Sequence, residues 1–429
     1  MRGRALLDLK LTSYGRDRFI PVRKNDILDT LIEQGAFIGD GAGDKFRRLC
    51  EMLASIYHYE YFATLERLRS DYYYYYFNPA AVSHAVRDQA QTERAYADLL
   101  QSLDRVLKIA NFVELSHAEI SDAHSRRTVL PVAVRAPLDD CREVRFYRRG
   151  HHIEELETVG WFGFRRRKIQ VEVYDDVVLF AAMKSKAALA SQRRARRLER
   201  RKITPGSVLL KYFHNIAAGD VYALFPNARV LMSNVDKLFL GLPAIATGIP
   251  ILINLYTTIT VLFLVLGFYM GVTASVQDSD MKTALAALSG LVALGGFVVT
   301  QWVRYQRQSL KYRMELTDNI YYRNINNNAG IFDYVIGAAE EQECKEAFLA
   351  YYFLHTAASP LASHDLDARI EDWLKLTFGI DLDFEVVDAV AKLEHLGLLR
   401  RQGELLCAAP FDEAFASLHR VWDKLFPAG

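Results

Sequence analysis

The feature that most constrains this chain is a run of forty residues, Leu238 to Gln277, without one Asp, Glu, Lys, Arg or His. After a short polar break at Asp278, Asp280 and Lys282, a second uncharged run extends from Thr283 to Trp302. Pro250 to Val272 is about 23 residues, and at 1.5 Å per residue gives about 34 Å, enough to cross a hydrocarbon core. Thr283 to Val303 offers a second span of similar length, richer in small residues. Two spans joined by so short a turn must run antiparallel. The sequence therefore predicts a transmembrane helical hairpin over residues 236–305, with spans at about 250–272 and 283–303. The competing reading is a pair of buried core helices, which rarely need two successive uncharged runs of this length.

Orientation follows from the flanks. Arg229 and Lys237 precede the first span, while Arg304, Arg307, Lys311 and Arg313 follow the second. The positive-inside rule then places both termini in the cytoplasm, with the chain multi-pass in a cell inner membrane, or in a mitochondrial membrane if eukaryotic. Tyr256, Tyr269, Trp302 and Tyr305 are interfacial anchors in this reading. Residues 238–249 carry Gly241, Pro243 and Gly248, with Pro250 next, and read as re-entrant, interfacial or part of the first span. Gly267-x-x-x-Gly271 and Ala286-x-x-x-Gly290 are small-residue ridges for helix packing, either within the hairpin or in a homo-oligomer. The spans hold no Asp, Glu, Lys, Arg or His, so an anchor is expected before a transporter.

The expected fold class is an α+β membrane protein with the hairpin between an N-terminal α+β domain and a C-terminal winged-helix-like domain. Its parts are residues 1–125 (helical), 126–235 (a small antiparallel sheet with a basic helix), 236–305 (the hairpin) and 306–429 (the acidic C-terminal domain). The net charge of +1 hides an asymmetry. From Glu340 to Gly429 there are 17 acids against 8 Lys and Arg, a balance of −9, so the rest carries +10. The basic part includes Arg193, Arg194, Arg196, Arg197, Arg200, Arg201 and Lys202, which with Trp302, Arg304 and Arg307 are candidate contacts for the lipid bilayer. The four cysteines are far apart and form no CxxC pair, which reads as reduced, structural thiols. The N-terminus lacks an apolar signal region, so the hairpin itself would direct insertion.

In the N-terminal part, Lys24 to Gln34 reads as a capped amphipathic helix. Gly39-x-Gly41-x-Gly43 fails the P-loop pattern, because Lys45 is followed by Phe46. Phe46 to Phe77 is a helical pattern with a dense tyrosine stripe, read as helix–helix core before a ligand groove. His117, Glu119, Asp122 and His124 match no metal spacing and read as a solvated turn. Strand signals then run from Val129 to Met183, with turns expected at Pro137 to Asp140, Gly150 and Gly163. Three or four antiparallel strands follow from them.

At Leu210-Lys211-Tyr212-Phe213-His214-Asn215-Ile216, then Asp220 and Leu224-Phe225-Pro226-Asn227, the chain resembles the domain-of-unknown-function family 3754. Arg18 to Val22, Glu143 to Gly150, Leu316 to Asn324, Asn328 to Gly330 and Glu340 to Tyr352 extend the resemblance over nearly the whole chain. The resemblance implies a membrane family of bacteria, plants and mitochondria, whose animal member is a mitochondrial transmembrane protein. The family has no assigned activity, so it carries over no catalytic residues. The basic run is not among its motifs.

In the C-terminal part, Glu340 to Leu354 reads as an amphipathic helix with Ala347, Phe348, Tyr351 and Tyr352 inward and the acids outward. Helices at Asp365 to Thr377 and Phe384 to Leu396 follow, then strands at Leu399 to Arg401 and Glu404 to Ala408. That order is winged-helix-like, but the acidic balance opposes nucleic acid and favours a protein partner. Tyr321, Arg323, Asn324, Asn326, Asn327 and Asn328 form a candidate polar site. No catalytic residue, cofactor or metal ion is called for. The function expected is membrane-anchored binding or scaffolding, with a lipid-associated enzyme or an oligomeric channel or transport component as alternatives.

Overall fold

Alternating β-branched and aromatic residues from Cys141 to Met183 build a long antiparallel hairpin of β3 (Cys141–Val159) and β4 (Arg166–Met183). β1 (Val113–Leu115) adds to the free edge of β3. On the other side, β5 (Val208–Ala217) pairs with β4, and β7 (Asn324–Asn327) with β5. The five strands are all antiparallel, in the order β1-β3-β4-β5-β7. Gly150 was expected to turn the chain, yet β3 runs through it. Its φ is +64°, and a Cβ there would fall 2.1 Å from Asp175 Oδ2, so the strand needs glycine at this close approach.

This computed structural model describes residues 16–35, 41–73, 75, 89–126, 133–136, 138–159, 166–189, 191–200, 203–225, 228–231 and 321–425. Between 260 and 314 it describes residues 295–304 and scattered single or paired positions. The chain divides into two compact units, one comprising residues 1–125, 138–219 and 323–429, the other 126–137 and 220–322.

The helices of the first unit are α1 (Lys24–Glu33), α2 (Ala42–Tyr73), α3 (Gln89–Ile109), α4 (His117–Arg126), which ends at the unit boundary, and α5 (Gln192–Arg200), then α6 (Ile331–His355), α7 (Ser363–Phe378), α8 (Val386–His395) and α9 (Phe411–Leu425). β8 (Leu361–Ala362), β9 (Leu399–Gln402) and β10 (Leu405–Ala408) form a small sheet in the order β8-β10-β9. α6 is the axis of this unit. It packs against α1, α2, α3, α7 and α8 and against β10, so helices from both ends of the chain share one core. That core joins Phe46 and Leu53 to Tyr351, Leu366, Leu393 and Leu418, with Phe46 stacked on Tyr351 at 6.3 Å. A second cluster joins Tyr72, Leu103, Phe180, Tyr212 and Phe332, where Tyr72 meets Phe332 edge-on at 5.4 Å. Each such buried aromatic contributes about 1.5–3 kcal/mol by area. The stretch around His117 is a helix, not a turn. Ser116 and Glu119 close its first turn reciprocally, Ser116 N–H donating to Glu119 Oε2 (2.7 Å) and Glu119 N–H to Ser116 Oγ (3.2 Å).

In the second unit β2 (Ala133–Arg135) pairs antiparallel with β6 (Arg229–Leu231). The membrane hairpin expected here is overturned: no helix among the described residues is long and apolar enough to cross a membrane. The fold class is α+β with antiparallel sheets, and neither the anchored architecture nor the multi-pass membrane localisation stands. The physical reason is that length and apolarity do not coincide. α2, α3 and α6 are long enough, but charges recur through each; α6 alone carries Asp333, Glu340, Glu341, Glu343, Lys345 and Glu346. Much of 250–272 and 283–294, and all of 238–249, lies outside the described residues.

Candidate functional site

The site begins with a helix whose surroundings defeat its own periodicity. From Gln342 to Tyr352 every residue of α6 is buried, because other helices cover it on all sides. The acids expected on a solvent face are therefore inside: Glu343 is 5% exposed and Glu346 2%. A buried charge is tolerated only when partnered. Lys345 donates to the Ile20 carbonyl (3.0 Å), and burial pulls its pKa down to about 8. Gln342 Nε2 donates to Glu346 Oε1 (3.0 Å).

Glu343 and Glu346 share one cation. Lys392 of α8 places Nζ 2.7 Å from Glu343, 2.9 Å from Glu346 and 2.5 Å from Asp388. Three carboxylates thus face one ammonium. Burial pushes the Glu343 carboxyl up, Lys392 draws it back, and the two other acids push it up again, leaving it at about 7. Burial likewise raises Glu346. Burial alone would lower Lys392, but Glu346 and Glu343 outweigh it and the ammonium is held more firmly than usual.

Glu343, Asp388 and Lys392 of this cluster line an open cleft of about 480 Å³ between α2, α6 and α8, which Ile109 of α3 also lines. α2 contributes Tyr57, Glu60, Tyr61 and Thr64, which helical spacing brings to one face. Tyr61 donates its hydroxyl to Glu343 Oε1 at 3.4 Å. The Tyr57 side chain lines the cleft at 5% exposure, and its hydroxyl has no hydrogen-bond partner among the described residues. Burial and the Glu343 charge both hold the Tyr57 phenol protonated. The arrangement concentrates negative charge and leaves a buried hydroxyl available at its edge.

A second ionic constellation crosses the large sheet. Arg149 of β3, Asp176 of β4 and His214 of β5 lie in register. Arg149 Nε and Nη2 stand 3.0 and 2.5 Å from Asp176 Oδ2, and His214 Nδ1 stands 3.0 Å from Oδ1. Burial raises the Asp176 carboxyl, but His214 and Arg149 more than reverse this and it titrates below the usual range. The hydrogen bond to Asp176 holds the His214 proton above the usual histidine range. Arg149 also lies over the Phe19 and Phe112 rings, at 4.4 and 4.8 Å.

The asparagines of the expected polar site are engaged in shaping their own strand. Asn324 donates to Asn327 Oδ1 and Asn326 to the Gly330 carbonyl, both at 3.0 Å, while Asn328 Oδ1 accepts from Tyr72 at 3.0 Å. Arg323 donates to the Asn215 carbonyl. Tyr321 is exposed, edge-on to Tyr322 at 5.6 Å. Of the basic run, Arg196 and Arg200 are exposed on α5; the side chains of Arg193, Arg194, Arg197 and Arg201 lie outside the described residues. Trp302, Arg304 and Arg307 are exposed. Gly267 is helical and Gly271 sits in a turn with φ +76°, while Ala286 and Gly290 lie outside the described residues. Neither the cleft nor Lys392's role in it was expected from sequence. The signal that could have found it is the run Glu340 to Glu346, where Glu343, Lys345 and Glu346 crowd more charges than one outer helix face can take.

Together these elements define an α+β protein with antiparallel sheets, whose first unit is built on a central charged helix. Residues 174–330 match the family described as protein of unknown function (DUF3754), so the expected family holds for that segment, while its membrane character is not borne out. The segment contains Asp176, His214 and the asparagine strand, and ends immediately before α6. No solved structure matches the chain.

Proposed function

We propose that this protein is a binding protein whose ligand site is the cleft between α2, α6 and α8. The observation that carries this reading is the carboxylate-rich wall: Glu343 and Asp388 line the open space and, with Glu346 behind them, share the single ammonium of Lys392. The volume falls in the range of small-molecule sites, about 300–1,000 Å³. A cleft whose titratable groups are displaced by burial and by one another is the default site in an uncharacterised fold. Ring signals of Tyr57 and Tyr61, followed by NMR in a fragment screen on the full chain, test it. Compounds of at least one chemical class should shift both rings together. A screen that moves neither ring overturns the reading.

A second reading is favoured by Leu376 at the end of α7 and Val387 at the start of α8, which are 86% and 78% exposed. They flank one loop in the region of net charge −9, a setting suited to a protein partner that presents basic and apolar side chains. Fluorescence anisotropy with a labelled basic amphipathic peptide checks this. Binding should weaken with salt and fall at least tenfold in the double variant Leu376→Asp, Val387→Asp; equal binding by that variant excludes the surface.

A further inference from the structure

We infer that the ligand of the α2–α6–α8 cleft is a compact alkylammonium, a primary amine on a short apolar chain. This rests on the reading of the cleft as a ligand site. Charge comes first. Glu343, Glu346 and Asp388 face one lysine, and Glu60 adds a fourth carboxylate at the rim. Removing charges from water is tolerated when opposite charge accompanies them, so a second cation is the missing member of the group.

Shape and chemistry then narrow the cation. The point where the three carboxylates converge is already filled by Lys392 Nζ at 2.5–2.9 Å, so the guest binds from the cleft side. Among the described residues no group of three or more His, Cys, Asp or Glu side chains has the arrangement of a metal site. A primary ammonium brings three N–H donors. Glu343 Oε1 and Glu60 are acceptors on that side of the cleft, and the side chain of Tyr57, whose buried hydroxyl has no partner among the described residues, lines it beside them. The Tyr57 and Tyr61 rings add an attraction for cations that neutral and anionic guests do not receive. Ile109, Ala391 and Leu396 supply an apolar lining for a short alkyl chain.

Binding is coupled to a proton. Glu343 faces Tyr57, Glu60 and Tyr61 from α2, Gln342 and Glu346 on its own helix, and Asp388, Lys392 and His395 from α8. With its carboxyl near 7, part of the population is protonated at neutral pH. A cation entering beside it expels that proton, so amine affinity rises with pH between about 6 and 8, by at most tenfold per pH unit.

Isothermal titration of the full chain with butylamine and 1,4-diaminobutane, against 1-butanol and butyrate, tests the inference. The amines are expected to bind at least tenfold more tightly than the alcohol or the acid. They should release protons at pH 6.5, read from the heat in two buffers of different ionisation enthalpy. Glu60→Gln should weaken amine binding about tenfold, and Tyr57→Phe severalfold, with thermal midpoints within a few degrees of the parent. If 1-butanol or butyrate binds as well as butylamine, the cationic class is wrong and the cleft remains a ligand site. If no amine binds while the fragment screen still moves the Tyr57 and Tyr61 rings, the amine inference falls alone. If that screen also moves neither ring, both fall.

Discussion

Lys392 holds its ammonium 2.7 Å from the Glu343 carboxylate across the α6–α8 interface, and the same nitrogen reaches Glu346 at 2.9 Å. The two acids lie about one helical turn apart in Gln342 to Tyr352, a stretch in which every residue is buried. Removing the cation leaves both carboxyls buried, either charged without a partner or forced to take up protons. Lys392→Met is therefore expected to destabilise the fold by about 3–5 kcal/mol at pH 7.5, the usual cost of breaking a buried pair by deleting one partner. Urea denaturation checks it. The loss should shrink at pH 5.5, where the raised carboxyls of Glu343 and Glu346 take up protons and no longer need the ammonium. An equal loss at both pH values would contradict the cluster.

Glu343 itself sets a slope. Its carboxyl titrates at about 7 when folded, against 4.5 as the ordinary value. Between those values the folded state keeps a proton that the unfolded chain has lost, so stability falls as pH rises from about 4.5 to about 7. At about 1.4 kcal/mol per pH unit, the whole fall is on the order of 3 kcal/mol. Glu343→Gln cannot ionise and should flatten this part of the stability curve, measured as the urea midpoint against pH. A variant with the parent slope would place the titration elsewhere.

The sheet row responds in the opposite sense at each end. Asp176 has its pKa lowered in the fold, so its contribution is present above the ordinary carboxylate value and is lost as acid takes the pH below it. His214 has its pKa raised, so its contribution is complete below the ordinary histidine value and disappears as pH rises through the folded one. Both are in place in the window between about pH 4 and 6.5. Asp176→Asn leaves the Arg149 guanidinium buried beside a neutral amide and should cost about 3 kcal/mol or more, read by thermal denaturation at pH 6. His214→Gln should cost less, because the ring is half exposed and screened, and should remove the decline that begins above the ordinary histidine value.

Gly150→Ala tests the strained crossing of β3. A side chain at φ +64° meets an inherent penalty of about 1 kcal/mol, and the new Cβ would also displace the Asp175 carboxylate from His152, which it now meets at 2.7 Å. A loss of about 1–3 kcal/mol in chemical denaturation is expected. A variant as stable as the parent would show that the strand relaxes without cost.

Local signals were legible where the chain meets solvent or turns. Gly379 ends α7 in the left-handed conformation at φ +71°, its N–H bonded to the Lys375 carbonyl at 3.0 Å, as a glycine after a helical pattern implies. The pattern from Asp365 to Ala408 likewise matched α7, α8, β9 and β10 to within a few residues. Misreadings came where a residue's fate depended on remote partners. Ser116 and Glu119 already spelled a capping box, which the polar residues around His117 and His124 masked as a solvated turn. The long uncharged runs measured hydropathy along the chain, which counts apolar residues but does not establish a continuous helix long enough to cross a bilayer.

By itself, then, the sequence determined the helices and strands whose periodicity and caps are carried within a dozen residues, the acidic bias of the last ninety, and the family of the middle segment. Only the tertiary structure decided that Glu343 and Glu346 lie inside, that Lys392 answers them, and that Tyr57 lines the space above. The reason is geometric. A helix reports its own faces, and with one solvent face its acids point outward. α6 has no such face in this stretch, because α1, α2, α3, α7 and α8 enclose it, and that enclosure is a property of segments more than two hundred residues apart.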